Sequence, residues 1–323
     1  MFTAGLLRDI VAIMTNNMQK SPNTRVGILA YDAVQMSAVL GLVDVFAVAA
    51  RIGEPLGAAV LEGVVVRPDQ ALGAFDVVII PPSLNASRAA PEVATLQWID
   101  RQAKSGALMC SVCAGAFLLG HAGLLDGRPV TTHWALEAEF GKAFPKAELN
   151  PEEMLIDDGS LITAGGVMAW VDLGLHLVAR FAGGEVMAKT ARHLLVDPPR
   201  RAQSHYKRFQ PVMTHGDAGM LSVQRWLEGQ IAAPVTVAAM ARYAGCSARS
   251  LLRRFARATG LSPHQYLQQI RIERARGFLE RGQLPVGEVA YRVGYQDISA
   301  FNRVFRQLTG LTPSAYRKRF YCR

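Results

Sequence analysis

Through the first two hundred residues, short continuous apolar runs alternate with longer segments whose apolar residues recur three and four apart. The runs are Arg25-Val26-Gly27-Ile28-Leu29-Ala30-Tyr31, Asp76-Val77-Val78-Ile79-Ile80 and Ala107-Leu108-Met109-Cys110. Such runs fit strands of a sheet covered on both faces. The periodic segments predict helices at Met36 to Ala50 and at Pro91 to Lys104, the latter with Val93, Leu96 and Ile99 inward. Residues 51–67, punctuated by Gly and Pro, predict only minor strands. A helix from Ala114 to Leu119 starts abruptly after the third run. Strand alternating with helix means an α/β fold with a mostly parallel sheet. A short segment at Val130-Thr131-Thr132 follows, then a hairpin of Met154-Leu155-Ile156 and Leu161-Ile162-Thr163, and helices at Val167 to Arg180 and Glu185 to Leu195. Asp197-Pro198-Pro199-Arg200-Arg201 opens a linker. The predicted division is an extension (1–24), an α/β domain (25–197), a linker (198–219) and a C-terminal domain (220–323).

Beyond residue 220 the pattern is helical and it repeats. Thr259-Gly260-Leu261-Ser262-Pro263-His264-Gln265-Tyr266 returns as Thr309-Gly310-Leu311-Thr312-Pro313-Ser314-Ala315-Tyr316, and Arg242, Arg253 and Phe255 return as Arg292, Arg303 and Phe305. A fixed period of fifty means one supersecondary unit used twice. Gly260 and Gly310 fit helix ends; Ser262-Pro263 and Thr312-Pro313 fit a hydroxyl cap followed by proline at the first helical position. Upstream of each octad stand two helices around a glycine: Val237 to Tyr243 and Ser247 to Ala258, then Val286 to Val293 and Ile298 to Leu308. That is the helix-turn-helix layout, whose second helix enters a DNA major groove. Leu251, Phe255 and Ala258 share an inward face, as do Phe301 and Phe305. Outward stand Arg249, Ser250, Leu252, Arg253, Arg254 and Arg257 in the first unit, and Ser299, Asn302, Arg303 and Arg306 in the second.

Charge sharpens this division. Residues 220–323 hold 17 Lys and Arg against 5 Asp and Glu, whereas the preceding 219 hold 18 against 21. The basic excess belongs to the C-terminal part alone, the footprint of a polyanion partner. Cys110, Cys113, Cys246 and Cys322 show no disulfide framework, which fits a reducing cytoplasm. No uninterrupted apolar run reaches the length of a membrane span. Met1 to Pro22 carries Leu6, Leu7, Ile10, Val11 and Met14 as an amphipathic stripe broken by Arg8 and Asp9, too polar for a secretory core. It reads as a loose or partner-packing extension, or as a sequence upstream of a true start at Met18.

Residues from about 220 to 321 resemble the AraC/XylS DNA-binding domain, with two helix-turn-helix units joined by a long helix from Pro263 to Arg281. The segment Gly294-Tyr295, Phe301-Asn302-Arg303-Val304-Phe305 and Gly310-Leu311-Thr312-Pro313-Ser314-Ala315-Tyr316-Arg317 carries that resemblance. It implies that Arg249, Arg253, Asn302 and Arg303 read bases while Arg254, Arg257 and Arg306 hold phosphates.

The chemistry of the first domain centres on Ser111-Val112-Cys113-Ala114-Gly115 at a strand-to-helix junction. A nucleophile elbow needs small residues two positions either side of the nucleophile, as Ser111 and Gly115 are. A helix N-terminus aimed at Cys113 favours a thiolate. Downstream, Thr131-Thr132-His133-Trp134 offers an imidazole, followed by Leu161-Ile162-Thr163-Ala164-Gly165-Gly166 and Asp172-Leu173-Gly174-Leu175. In that order these segments resemble the PfpI/deglycase group of class-I glutamine-amidotransferase-like domains, which implies a flavodoxin-like sandwich over about residues 25 to 196. Two departures argue against turnover. Ala38 stands where that group's enzymes carry an acid, and Pro81-Pro82-Ser83 replaces their Pro-Gly-Gly oxyanion loop. What remains is a binding pocket of Ser83, Cys113, Ala114, His133, Trp134, Gly165, Gly166 and Val167, with Trp134 or Trp170 able to hold a quaternary amine if turned inward.

The combination resembles the GlxA-like branch of AraC regulators. It implies a cytoplasmic, dimeric regulator of promoter DNA that responds to a small-molecule effector, and it suggests activation, with RNA polymerase as a partner if the protein activates; the residues themselves do not show the sign of regulation. No cofactor, metal or membrane partner is expected. Two other readings stand beside it: a Cys113-dependent hydrolase or lyase of amides, isonitriles or glyoxals targeted to DNA, and a redox sensor built on Cys110 and Cys113.

Overall fold

The apolar runs become the middle of a six-stranded sheet. A computed structural model describes residues 23–70, 73–83, 91–198 and 202–321; residues 1–22 of the expected extension and Cys322 lie outside the described residues, and Thr24 belongs to the first strand. The chain divides into two units, the first ending at Gln203 and the second beginning at Ser204.

In the first unit, β1 (Thr24–Leu29), β2 (Leu61–Val66), β3 (Val77–Ile80), β4 (Leu108–Val112), β7 (Leu155–Asp157) and β8 (Leu161–Ala164) lie in the order β2-β1-β3-β4-β8-β7. All neighbours pair parallel except β7 with β8, the predicted hairpin. Successive strand residues feed two cores. Val26, Ile28, Val77, Ile79, Cys110 and Ile162 pack with α1 (Met36–Gly53), α5 (Trp170–Ala182) and α6 (Gly184–His193). Leu29, Val78, Ile80, Met109 and Leu161 pack with α2 (Val93–Lys104), α3 (Gly115–His121) and α4 (Glu137–Ala143). This period-two division gives the central strands no polar face and explains their continuous apolar runs.

Three expectations change. Residues 61–66 form a full edge strand paired with β1 along its whole length, not a minor one. Val93 is 68% exposed because α2 begins at that residue; Ile99 faces inward as expected, together with Thr95, Trp98 and Gln102. Of Val130-Thr131-Thr132 only Val130 is in a strand, β5 (Pro129–Val130), which pairs with β6 (Glu148–Leu149) apart from the main sheet. Met36–Leu56 is long and apolar enough to cross a membrane by length and composition. Its helix lies on the sheet, with Ala38, Val39, Leu42, Val45 and Phe46 buried.

The second unit has two small cores joined by one long helix. Around the first lie α7 (Ala218–Gly229), α8 (Val237–Tyr243) and α9 (Ala248–Thr259), with Met220, Val223, Met240, Leu251 and Phe255 buried. Around the second lie α11 (Val286–Arg292), α12 (Ile298–Thr309) and α13 (Pro313–Phe320), with Val289, Phe301, Phe305 and Tyr316 buried. Between them, α10 (Pro263–Arg281) gives Tyr266, Leu267 and Ile270 to one core and Ile272, Ala275 and Leu279 to the other.

The stretch read as a linker is fastened at both ends. Gln203, 1% exposed, belongs to the first unit. Residues 206–209 pack on the second: Arg208 pairs with Glu273 at 3.2 Å and Glu280 at 2.9 Å, and Arg319 donates to the Tyr206 hydroxyl at 2.7 Å. The Lys207 carbonyl accepts from Arg276, which is 1% exposed and also paired with Glu273 at 2.8 Å. A guanidinium so deeply buried needs those partners, since an uncompensated buried charge is strongly destabilising.

Candidate functional site

The two helix-turn-helix units close their second helices with the same chemistry. Ser247 caps α9 by accepting from the Ser250 N–H at 3.2 Å; Asp297 caps α12 through the Ser299 and Ala300 N–H groups at 2.9 and 3.1 Å. At the far ends Gly260 and Gly310 take φ of 73° and 72°, the left-handed conformation that ends a helix without a Cβ penalty. Thr259 and Thr309 each donate to the Phe carbonyl one turn back, at 2.8 Å. Ser262 and Thr312 then cap the following helices. From cap to cap, α9 and α12 therefore correspond residue for residue at a spacing of fifty.

Ahead of the caps the spacing is forty-nine. Helices α8 and α11 both hold seven residues, Val237–Tyr243 and Val286–Arg292, and the turn glycines are Gly245 and Gly294. The second turn thus carries one extra residue. Arg242 corresponds in place to Tyr291, not to Arg292 as the sequence period suggested.

With Leu251 and Phe255 fully buried, α9 exposes Arg249, Leu252, Arg253, Ala256 and Arg257; Ser250 is half-buried. With Phe301 and Phe305 fully buried, α12 exposes Ser299, Asn302, Arg303, Arg306 and Gln307. Neither exposed face carries an acid beyond the Asp297 cap. Arg254, expected to hold a phosphate, is engaged within the protein. Its guanidinium lies against Asp217, with Nε at 3.0 Å and Nη2 at 2.6 Å from the two carboxylate oxygens. Asp217 is also the α7 cap, so this arginine fastens α9 to α7, and the pair holds the Asp217 carboxyl below the usual range.

In the first unit the elbow has the predicted shape. Cys113 has φ of 55°, an uncommon conformation for a side chain with a Cβ. Gly115 is required: a Cβ there would stand 2.5 Å from the Ile80 carbonyl oxygen. The Cys113 N–H donates to the Ala164 carbonyl at 2.7 Å, and Thr132 Oγ1 donates to the Cys113 carbonyl at 2.8 Å. The elbow, the Thr-Thr-His segment and the end of β8 are thereby brought together.

The electrostatics differ from expectation. Cys113 is 4% exposed, and burial pushes its thiol up to about 11, outweighing the hydrogen bond from the Ala114 N–H. A helix N-terminus does not offset that desolvation, so no thiolate is favoured near neutrality. Cys110, fully buried under the elbow, is also pushed up, and both thiols are free. The His133 Nδ1 accepts the Ala135 N–H at 3.1 Å, and burial lowers its basicity. Among the described residues no hydrogen bond joins Cys113 to His133. Ala38 is fully buried, and the Ser83 hydroxyl donates to the Ala33 carbonyl at 3.0 Å. Trp170 packs over Gly41 of α1 instead of into the pocket, whereas Trp134 is half-buried beside the His133 ring at 5.3 Å.

Two residues escaped sequence reasoning. Tyr31 is pushed up by burial and by its nearness to Cys113, and its hydroxyl donates to the Pro81 carbonyl at 2.7 Å. Gln203 inserts its carboxamide beneath the Thr-Thr-His-Trp segment. Its Nε2 donates to Thr131 Oγ1 at 3.1 Å, to the Thr132 carbonyl at 2.8 Å and to the Glu153 carbonyl at 3.0 Å; its Oε1 accepts the Trp134 N–H at 3.2 Å. The same carboxamide fills the space where a Cβ on Gly165 would stand, leaving Gly166 and Val167 as the more open part of that loop. Nothing local in the sequence marks either residue, because each acts across 50 to 72 positions.

Comparison with known proteins adds family to geometry. The Helix-turn-helix domain model matches residues 240–319, and the DJ-1/PfpI family model matches residues 43–180. The chain is 32% identical over 227 residues to the HTH-type transcriptional regulator GlxA of Rhizobium meliloti, spanning 68% of each protein. It is 26% identical over 261 residues to the HTH-type transcriptional regulator GbdR of Pseudomonas aeruginosa, spanning 80% of this chain and 71% of that one. It is also 34% identical over 110 residues to an isonitrile hydratase of Pseudomonas putida, spanning 34% of this chain and 46% of the enzyme.

Proposed function

Because this chain belongs to the HTH-type transcriptional regulators that join a DJ-1/PfpI domain to an AraC-type DNA-binding domain, we propose that it binds promoter DNA through α9 and α12 under control of a small molecule held, but not transformed, in its first unit. The observation that carries the DNA half is the repeated cap-to-cap geometry that exposes an acid-free, arginine-bearing face on both second helices. Arg249, Arg253, Asn302 and Arg303 take base edges, and Arg257 and Arg306 take phosphates. Arg254 acts through Asp217 as a positioning residue. The two helices address successive major-groove faces about 34 Å apart, and a homodimer doubles that footprint.

The sensing half follows from the chemistry that Cys113 lacks. A protonated, buried thiol, an imidazole whose Nδ1 is occupied by its own turn, and an alanine at the acid position leave no general base for nucleophilic attack. Cys113, Ala114, His133, Trp134, Ser83 and the Gly166-Val167 loop supply a site for a metabolite instead. We take the sign of regulation to be activation, as the family resemblance suggests, with RNA polymerase as the further partner.

The test is binding of the full chain to its own promoter region. Arg253→Ala and Arg303→Ala should each cost about 1–3 kcal/mol and relax preference at one base position; wild-type affinity and selectivity in both would sink the assignment. Thermal-shift screening against amino acids, betaines and amides identifies the effector, since a ligand bound only by the folded state raises apparent stability. The similarity to an isonitrile hydratase favours one rival, turnover at the elbow. Isonitrile consumption that Cys113→Ser abolishes would establish that rival.

A further inference from the structure

The residue-for-residue correspondence of α9 and α12 shows, place by place, where the two helices differ. Arginine occupies both members of the pair Arg253 and Arg303. One residue earlier the pair is Leu252 and Asn302, an aliphatic group against a carboxamide. Both are exposed, Leu252 at 43%. Neither contributes to a core, since Leu251, Phe255, Phe301 and Phe305 fill those positions.

An isolated exposed leucine carries no message. This one stands in a stripe with Arg249, Arg253 and Ala256, at the i, i+3, i+4 and i+7 places of one helix face. Asn302 stands in the matching stripe with Ser299, Arg303 and Arg306. Both are the fifth residue of their helices, in the N-terminal half that meets base edges in a helix-turn-helix complex. Asparagine is moreover a poor choice for an exposed helix interior, because its side chain competes for backbone hydrogen bonds.

We propose that Leu252 and Asn302 are the residues that make the two units select different bases at equivalent places, Leu252 taking thymine through its C5-methyl group and Asn302 taking adenine through paired hydrogen bonds to N6 and N7. The major groove presents that methyl only on thymine and that donor–acceptor pair only on adenine. The neighbouring Arg253 and Arg303 then select the same base, guanine, in both sub-sites. The operator sub-sites share a guanine and differ beside it. This inference rests on the DNA-binding reading above.

The experiment is selection of the full chain against randomised duplexes, for the wild type, Leu252→Asn and Asn302→Leu. In Leu252→Asn the preference at one position of the first sub-site should change from thymine to adenine. In Asn302→Leu the reverse should occur in the second sub-site, with the shared guanine unchanged in both. In the selected wild-type site, replacing that one thymine by uracil should weaken binding about fourfold, the ratio expected for one buried methyl-sized group. The replacement should leave Leu252→Asn unaffected. Selection of the wild-type bases by either variant, or equal wild-type affinity for the thymine and uracil duplexes, overturns the proposal. The uracil arm uses wild-type protein, so it holds even if a variant misfolds. Wild-type protein that selects no sequence at all would instead overturn the DNA-binding reading, a separate and distinguishable failure.

Discussion

Raising the pH over the Cys113 thiol tests the claim that burial has switched off the elbow. An ordinary cysteine, with a pKa near 8.5, is roughly 3% thiolate at pH 7. A thiol pushed up to about 11 is thiolate in only about one molecule in 10⁴. The native protein should therefore present roughly 300-fold less nucleophile than its unfolded chain at neutral pH, before any loss from restricted access. The assay is brief alkylation of the full chain with iodoacetamide across pH 7 to 11, read on the Cys113 peptide by mass spectrometry. The same series in urea gives the unfolded reference, and circular dichroism confirms folding at each pH. The native rate should still be climbing at pH 10, where the unfolded reference has levelled off. The native state holds this proton more tightly than the unfolded chain. Its contribution to stability is therefore complete below about pH 8.5 and is lost as pH rises toward 11. A native rate that levels off below pH 8.5 would refute the reasoning and return the elbow to the enzymes.

Replacing Gln203 by Leu should destabilise the first unit by about 2–4 kcal/mol, because the Trp134 N–H and the Thr132 and Glu153 carbonyls lose a buried partner; hydrogen exchange at the Trp134 amide should accelerate in step. Glu273→Ala strips Arg276 of its carboxylate and should cost the second unit about 3 kcal/mol in urea unfolding. Asp217→Ala removes the α7 cap and the Arg254 anchor together and should cost about 1 kcal/mol at pH 7. The depressed Asp217 carboxyl contributes stability above its unfolded pKa, near 4, and loses it as pH falls through the folded value. The gap between Asp217→Ala and wild type in urea midpoint should therefore narrow at pH 3.

What sequence revealed was whatever is encoded locally. Ser262-Pro263 and Gly260 placed the ends of α9 and α10 because caps act within three residues. Val77 to Ile80 announced a doubly covered strand because no position there is polar. The elbow was legible for the same reason: Ser111 and Gly115 flank Cys113 in the chain. Properties set by distant residues were not legible. The state of the Cys113 thiol depends on burial, and the Arg254 guanidinium is held by Asp217, 37 residues away. The Pro-rich stretch from Asp197 concealed Gln203 and Arg208, whose partners come from β-sheet loops and α10 respectively.

The surplus residue between Gly294 and Asp297 limits which pieces of this duplicated architecture can be traded. A transplant of α9 into the place of α12, cut at the caps, preserves length and the phase of every buried aromatic. A cut made upstream of the turn at that same spacing of fifty shifts the grafted segment by one residue, about 100° around the helix axis, and turns a core aromatic toward water. Natural recombination or laboratory shuffling of the two halves therefore has its permissible seam at Ser247 and Asp297, after the turn rather than before it.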